Sequence, residues 1–350
     1  LILPFTKMQA CGNDYIYVDC TKNDLEKKIN FSSLSKKLSQ RKFSIGADGI
    51  ILICSSHFSD AKMIMYNANS SEGKMCGNGI RCVAKYLYEI LKIKKSILKI
   101  ETKSGVKEVR IFTAPGRESE VQSIKVNMGK AEFLPQKIPV DILRLVHLCN
   151  CEALTKKQRF GKSILKKNTD LFSKIGINFC QNFKALEESK LDEKIYAGYA
   201  TNRLESVINF PIKINGSSYN LNCVSMGNPH CVLIYKENIN NIDLEKVALD
   251  FERSKIFLEG VNIEILNVKA ENNVDVRVWE RGSKETLSCG TGACATFAVL
   301  KKLELIDSKS PLNVNLKGGQ LEVSTCERNS KEDIFLCGPA NIVYRGVVEI

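Results

Sequence analysis

Two short stretches of this 350-residue chain carry residues whose types and spacing suit acid/base chemistry. Cys76-Gly77-Asn78-Gly79 and Cys289-Gly290-Thr291-Gly292 each put a thiol just ahead of a turn largely stripped of side chains. Each turn runs into apolar residues at helical spacing: Ile80, Val83, Ala84 and Leu87 after the first, Ala293, Phe297 and Leu300 after the second. A helix that opens on glycines leaves backbone N–H groups free for a ligand, and its dipole favours an anion there. A cysteine at such a start is expected to have a lowered pKa and a substantial thiolate fraction. Were the two starts to face one cleft, a carboxylate could sit on the N–H groups with its α-carbon between the sulfurs. One thiolate would then remove the α-proton and the other thiol deliver a proton to the opposite face, inverting the centre without a cofactor. From the residues alone, other roles stay open: packing as small apolar groups, a nucleophile served by His230, or a redox pair.

The elements that must position these thiols come as a repeat. At the offset that relates the two turns, Ala61–Tyr66 matches Val274–Trp279, both alternating as half-buried strands, and Gly105 matches Gly318. Nearby offsets match Gly12-Asn13-Asp14 with Gly227-Asn228-Pro229, Gly46-Ala47-Asp48 with Gly260-Val261-Asn262, and Met128–Ala131 with Cys337–Ala340. The ordered matches predict an α+β fold of two pseudo-symmetric lobes, each a strand barrel or sheet wrapped around a central helix. Residues of about 134–205 have no counterpart. With helix-like runs at Leu143–Leu148 and Leu165–Ile175, they are expected to form an exposed insertion on the second lobe.

Composition narrows the class. Hydrophobic residues make up 44% and charged residues 26%, the profile of a globular chain rather than a disordered or collagen-like one. No apolar run is long enough to cross a bilayer as a helix, so no membrane partner is expected. The net charge of +12 admits nucleic acid, but no basic run interleaved with aromatics and no nucleic-acid-binding motif accompanies it, so none is expected. Fourteen cysteines without a signal peptide point to a reducing compartment. With three histidines and no Cys-x-x-Cys, no metal site is expected.

The motifs resemble the diaminopimelate epimerase family over about 5–133 and 205–345. The resemblance rests on Asn67–Glu72 leading into Met75–Cys82, on Trp279–Gly282 leading through Glu285-Thr286 to Cys289–Cys294, and on Met226–Cys231. It implies cofactor-independent interconversion of LL- and meso-diaminopimelate by two thiols, within lysine and peptidoglycan precursor biosynthesis. Carried over by position, Cys76 and Cys289 are the acid/base pair. The N–H groups of Gly77, Asn78, Gly290 and Thr291 hold the α-carboxylate, and Glu280 with the Arg281 carbonyl takes the α-ammonium. Asn13, Asn67, Asn228, Asn262 and the Arg281 guanidinium meet the distal end. His230 and Glu280 modulate thiol protonation.

The family's end strands cross between lobes. This implies a first lobe of 1–120 plus about 338–350 and a second of 121–337 carrying the insertion. A small-molecule substrate, a cytoplasmic location with a plastid left open, and room for a homodimer complete the expectations. Three departures stand out: Cys11 and Ser44 where the family usually has glycine, and the length of 134–205. Two rivals are weighed, another two-cysteine amino-acid racemase of the same fold, and a non-catalytic basic binding protein that kept the fold. Glu280, Arg281 and the four asparagines favour a substrate with a second charged end.

Overall fold

The computed structural model describes residues 1–149, 204–328 and 331–350. In the first half, β1 (Ile2–Ala10), β2 (Asn13–Asp19), β3 (Gly49–Cys54), β4 (Ala61–Asn67), β5 (Glu72–Gly73), β6 (Ile97–Thr102), β7 (Gly105–Ala114) and β8 (Arg117–Gly129) surround the helix whose first residue follows Cys76. The short helices α1 (Leu25–Lys28) and α2 (Phe31–Leu38) lie between β2 and β3, and the central helix is α3 (Gly77–Glu89). Every α3 residue but the last is buried, because strands pack against it from several sides.

The second half repeats the plan. After α4 (Ile142–His147) come β9 (Phe210–Ile214), β10 (Ser217–Leu221), β11 (Cys223–Ser225), β12 (Pro229–Tyr235), α5 (Leu244–Ser254), β13 (Asn262–Ala270), β14 (Asn273–Glu280) and β15 (Lys284–Thr286). The central helix α6 (Gly290–Lys302) follows, then β16 (Leu312–Leu316), β17 (Gly319–Arg328), β18 (Lys331–Gly338) and β19 (Asn341–Glu349). Strand pairing repeats as well. β2 and β3 pair in parallel, as do β12 and β13; β4 pairs β6 through Ala61↔Ile100, and β14 pairs β16 through Val274↔Val314. The half-buried alternation expected of Ala61–Tyr66 and Val274–Trp279 is the observed burial of β4 and β14.

The lobes share strands. β8 pairs antiparallel with β18, and β19 returns to pair with β1. One apolar cluster runs from Ile80, Val83 and Leu87 of α3 to Ala293, Phe297 and Leu300 of α6. A second fills the outer side of β12 and β13 under α4, α5 and β9. It corrects the expectation of an exposed insertion at its described N-terminal end: Ile138, Ile142, Leu145 and Val146 are core residues, and Leu143–Leu148 lies mostly in α4. The run at Leu165–Ile175 lies outside the described residues.

Both glycine departures are accommodated. Cys11 and Gly12 form the two-residue link of the β1–β2 hairpin, both with positive φ (51° and 81°), as a right-twisted hairpin requires. The left-handed conformation costs a non-glycine residue about 1 kcal/mol, but the Cys11 side chain is buried against Gly319 and lies 4.0 Å from Arg81 Nη2. Ser44 sits in an exposed bend with its N–H donating to Gln40 O, without positive φ. Gly318 N–H donates to Leu287 O within the second lobe, and across the lobes a Cβ on Gly318 would stand 2.6 Å from the Cys11 carbonyl carbon. Because backbone must move to admit a methyl group there, Gly318→Ala is expected to cost about 1–3 kcal/mol, read as a lowered midpoint in urea with an unchanged slope.

Candidate active site

Each thiol caps the helix it precedes. Cys76 Sγ accepts from Gly79 N–H at 3.2 Å, and Cys289 Sγ accepts from Gly292 N–H at 3.4 Å. Both cysteines have extended backbone, so each side chain folds back over the first turn in the manner of a serine or aspartate cap. The N–H groups ahead of the capped one belong to Gly77 and Asn78 in α3 and to Gly290 and Thr291 in α6. All four residues line one cavity of about 660 Å³ together with Cys76, Cys289, Asn13, Asn67, Asn228, Glu280 and Arg281. The two starts abut: a Cβ on Gly290 would lie 3.6 Å from Gly77 Cα. Glycine at both positions lets the helices approach and keeps the donors bare.

Side chains brace the starts across the lobes. Asn78, 2% exposed, donates from Nδ2 to Ser288 Oγ at 3.0 Å and accepts at Oδ1 from Arg81 Nη2 at 2.8 Å. Arg81 is fully buried and also donates to Gly77 O and Pro339 O. It sets a positive charge beneath the donors that would hold a carboxylate. Neither Ser288 nor Arg81 is among the residues expected from sequence, although a lone arginine within the apolar helical run after Cys76 is a visible signal.

Cys76 donates to Asn13 Oδ1 at 3.4 Å, and Asp48 holds the Asn13 amide in place through Nδ2 at 2.7 Å. Cys289 Sγ lies 3.3 Å from Thr291 Oγ1, which accepts from Asn228 Nδ2 at 3.4 Å. Asn228 Oδ1 in turn lies 3.0 Å from His230 Nε2. His230 is thus not in contact with the cleft. It is fully buried, and Asn228 and Thr291 link it to Cys289.

The distal residues gather in an adjoining cavity of about 870 Å³ lined by Asn13, Asn67, Asn228, Asn262, Glu280 and Arg281. Asn262 spends both ends of its amide on backbone, accepting from Arg281 N–H at 2.9 Å and donating to Pro229 O at 3.1 Å. Its contribution is to hold the Glu280-Arg281 turn. Asn67 Nδ2 donates to Ser71 Oγ, and Arg281 Nη1 donates to Glu259 O at 2.6 Å.

The expected lowering of the thiol pKa values is overturned. Burial pushes Cys76 up more strongly than the Gly79 and Asn78 N–H groups and Arg81 pull it down, and Glu280 adds to the rise. Cys289 is pushed well above the ordinary thiol range by burial, then by the charges of Glu280 and Glu264, against the Thr291 hydroxyl and Gly292 N–H. Desolvation here outweighs the helix N-terminus. Glu280 is itself raised by burial, although Thr286 Oγ1 donates to it at 2.5 Å. Among the described residues, the one grouping of three metal-capable side chains is Cys20, Glu26 and Cys54; Cys20 and Cys54 sit in the outer core of the first lobe, and none of the three lines either cavity.

This arrangement, one thiol-capped helix start from each lobe turned to one cleft, defines a two-lobed isomerase of the racemase and epimerase class. Its fold is shared with a hydroxyproline epimerase from Agrobacterium vitis, at a TM-score of 0.59 and 10% identity over 99% of this chain and 91% of that one. A phenazine biosynthesis protein of the PhzF family from Bacillus anthracis matches at 0.58 and 14% identity over the full length of both. The chain belongs to the diaminopimelate epimerase family, whose model matches residues 5–134 and 222–343. The diaminopimelate epimerase of Halothermothrix orenii is 35% identical over 99% of this chain and 98% of its own length. That of Methanococcus maripaludis strain S2 is 34% identical over 99% and 100%.

Proposed function

We propose that the chain epimerises LL-2,6-diaminopimelate to the meso isomer by a cofactor-independent exchange of protons between Cys76 and Cys289. The observation that carries this reading is the pair of thiol-capped helix starts abutting in one cavity. The α-carboxylate sits on the N–H groups of Gly77, Asn78, Gly290 and Thr291, above the buried Arg81. Glu280 takes the α-ammonium, and Asn13, Asn67, Asn228 and Arg281 receive the distal zwitterion, with Asn262 fixing the Arg281 backbone. One sulfur, as thiolate, takes the α-proton. The C–H electron pair stays on the α-carbon and spreads into the carboxylate, where the N–H donors stabilise it. The other thiol gives its proton to the opposite face and becomes the thiolate, so each turnover exchanges the roles of the sulfurs. Glu280 raises the proton affinity of both thiols. Pairing its charge with the ammonium relieves that effect when substrate binds.

Further observations support the wider reading. Cys76 and Cys289 are both free thiols, as a reducing cytoplasm would keep them. No described helix is long and apolar enough to cross a membrane. Ile2, Val343 and Val347 are exposed on the paired strands β1 and β19, an apolar strip that supports self-association.

The test is incubation of the reduced protein with LL-diaminopimelate in D2O, followed by proton NMR and chiral chromatography. Meso product carrying deuterium at the inverted α-carbon is expected. Turnover of proline or another amino acid without turnover of diaminopimelate would move the reading to another two-cysteine racemase. Absence of exchange on any amino acid would remove the acid/base assignment.

A further inference from the structure

The two helix starts are copies of one another with two charged differences beneath them: buried Arg81 of α3 stands where α6 has Cys294, and a second difference lies in the strand below. In the first lobe Gly79 lies on Ile51 of β3, whose Cδ1 would stand 2.6 Å from a Cβ on that glycine. In the second lobe its counterpart, Gly292, lies on Glu264 of β13, with Oε1 at 2.5 Å from the corresponding point. Ile51 pairs with Tyr17 of β2 as Glu264 pairs with Val232 of β12, so the two residues occupy equivalent places in equivalent parallel ladders. A carboxylate has replaced an isoleucine under the first turn of one central helix.

Glu264 is fully buried, in a strand whose neighbouring residues Ile263, Ile265 and Leu266 are core. Its Oε1 lies 2.8 Å from His230 Nδ1, and its Oε2 has no hydrogen-bond partner. A buried carboxylate with one bare oxygen is costly to keep. Asn228 Oδ1 lies 3.0 Å from His230 Nε2, so the imidazole stands between the amide and the carboxylate. The pair turns its carboxylate, not its ring, toward the α6 start, and Asn228 and Thr291 continue its contacts to the Cys289 sulfur.

We propose that Glu264 is a positioning residue that makes the two thiols unequal: it holds His230 and, with its carboxylate against the first turn of α6, makes Cys289 the sulfur that keeps its proton in the ligand-free enzyme, leaving Cys76 to become the thiolate. A negative charge at a helix N-terminus cancels the field that would otherwise favour a second negative charge there. This rests on the acid/base reading of the two cysteines. Other charged and titratable groups also face the two sulfurs: Lys74, Lys107, Lys130 and Arg281 line the cavity they share, and Tyr17 and Cys82 lie near Cys76. Glu280 raises both; at Cys289 stand Glu264 and His230. At Cys76 stand Arg81, which favours the thiolate, buried Tyr15, and Asp48 behind Asn13, whose charge is met by Arg41 at 2.9 Å. After burial and Glu280, Glu264 adds to the upward push on Cys289 and is not among the causes at Cys76.

The test is the pH dependence of iodoacetamide alkylation at each cysteine, mapped by mass spectrometry in the reduced, ligand-free protein. The midpoint of each curve reports the thiol's own ionisation, whatever its accessibility. In the parent chain Cys76 is expected to ionise at lower pH than Cys289; the reverse order overturns the proposal without any variant. In Glu264→Gln the Cys289 midpoint is expected to fall by about one pH unit or more, with that of Cys76 unchanged and the pH profile of kcat/KM shifted on one limb. An unmoved Cys289 midpoint, or an equal shift at both sulfurs, overturns it. Glu264→Ile, which copies the first lobe, carries the same expectation if the glutamine variant fails to fold. A residue that only supported packing would lower the melting temperature without moving one thiol's midpoint. If alkylation of either cysteine leaves epimerisation intact, it is the acid/base reading that fails, whatever Glu264 does.

Discussion

Cys76→Ala and Cys289→Ala are each expected to lose epimerisation by about 10⁴-fold or more, the scale of a positioned acid or base, while remaining folded. The fold tolerates the change because each sulfur faces the cavity and makes few structural contacts beyond its cap. Losing the hydrogen bond to Gly79 or Gly292 costs about 1 kcal/mol, as for other N-caps. The two variants should nonetheless differ from dead protein. The sulfur that remains can still remove the α-proton from the face it meets and return deuterium to that same face. Each variant is therefore expected to wash deuterium into one isomer of diaminopimelate without inverting it, and the two variants should choose opposite isomers. Proton NMR with chiral chromatography reads both properties. Inversion at the parent rate by either variant would overturn the two-thiol mechanism, and exchange into the same isomer by both would place the sulfurs on one face.

Glu280→Gln is expected to lower kcat/KM by roughly 10²–10³-fold, the cost of leaving a buried ammonium without its charged partner. It should also move the pH profile, and the two signs are separable. The Glu280 charge raises the proton affinity of both thiols, so removing it lets thiolate form at lower pH and carries the thiol limb toward acid. The Glu280 carboxyl is itself raised above its ordinary value by burial. In the parent chain its charge, and with it ammonium binding, fades as pH falls through that raised pKa. The glutamine variant has no such loss. A series of kcat/KM against pH for both proteins checks this. A thiol limb that stays in place would remove Glu280 from the control of thiol protonation.

Much of the fold was legible because the duplication writes each structural rule twice. Gly12-Asn13 and Gly227-Asn228, Gly105 and Gly318, and the two Cys-Gly-x-Gly turns recur in order, and the strand ladders recur with them. Local geometry explains the rest of that success: a thiol capping the N–H three residues ahead is a property of four consecutive residues. The failures are all matters of environment. The lowered thiol pKa was inferred from the helix start alone, whereas burial by both lobes dominates it. The flank at 138–146 read as exposed because its apolar face has no partner within its own sequence neighbourhood; β9 and α5 supply one. Glu264 carries no signal in the sequence because a single acid in an apolar strand takes its meaning from His230 and Gly292, which meet it only in space.

What the amino-acid order determined, then, is the chemistry available at each helix start: a sulfur, bare N–H donors, and a following helix to polarise them, all within one turn of chain. What the tertiary structure decided is how those two identical offers become unequal partners. Facing one cleft, they share the Glu280 charge. Resting on Ile51 in one lobe and Glu264 in the other, they feel different fields. Proton affinity is set by solvent exclusion and by charges a few ångströms away, and here those charges come from strands outside the two helix starts that the fold sets beside the sulfurs.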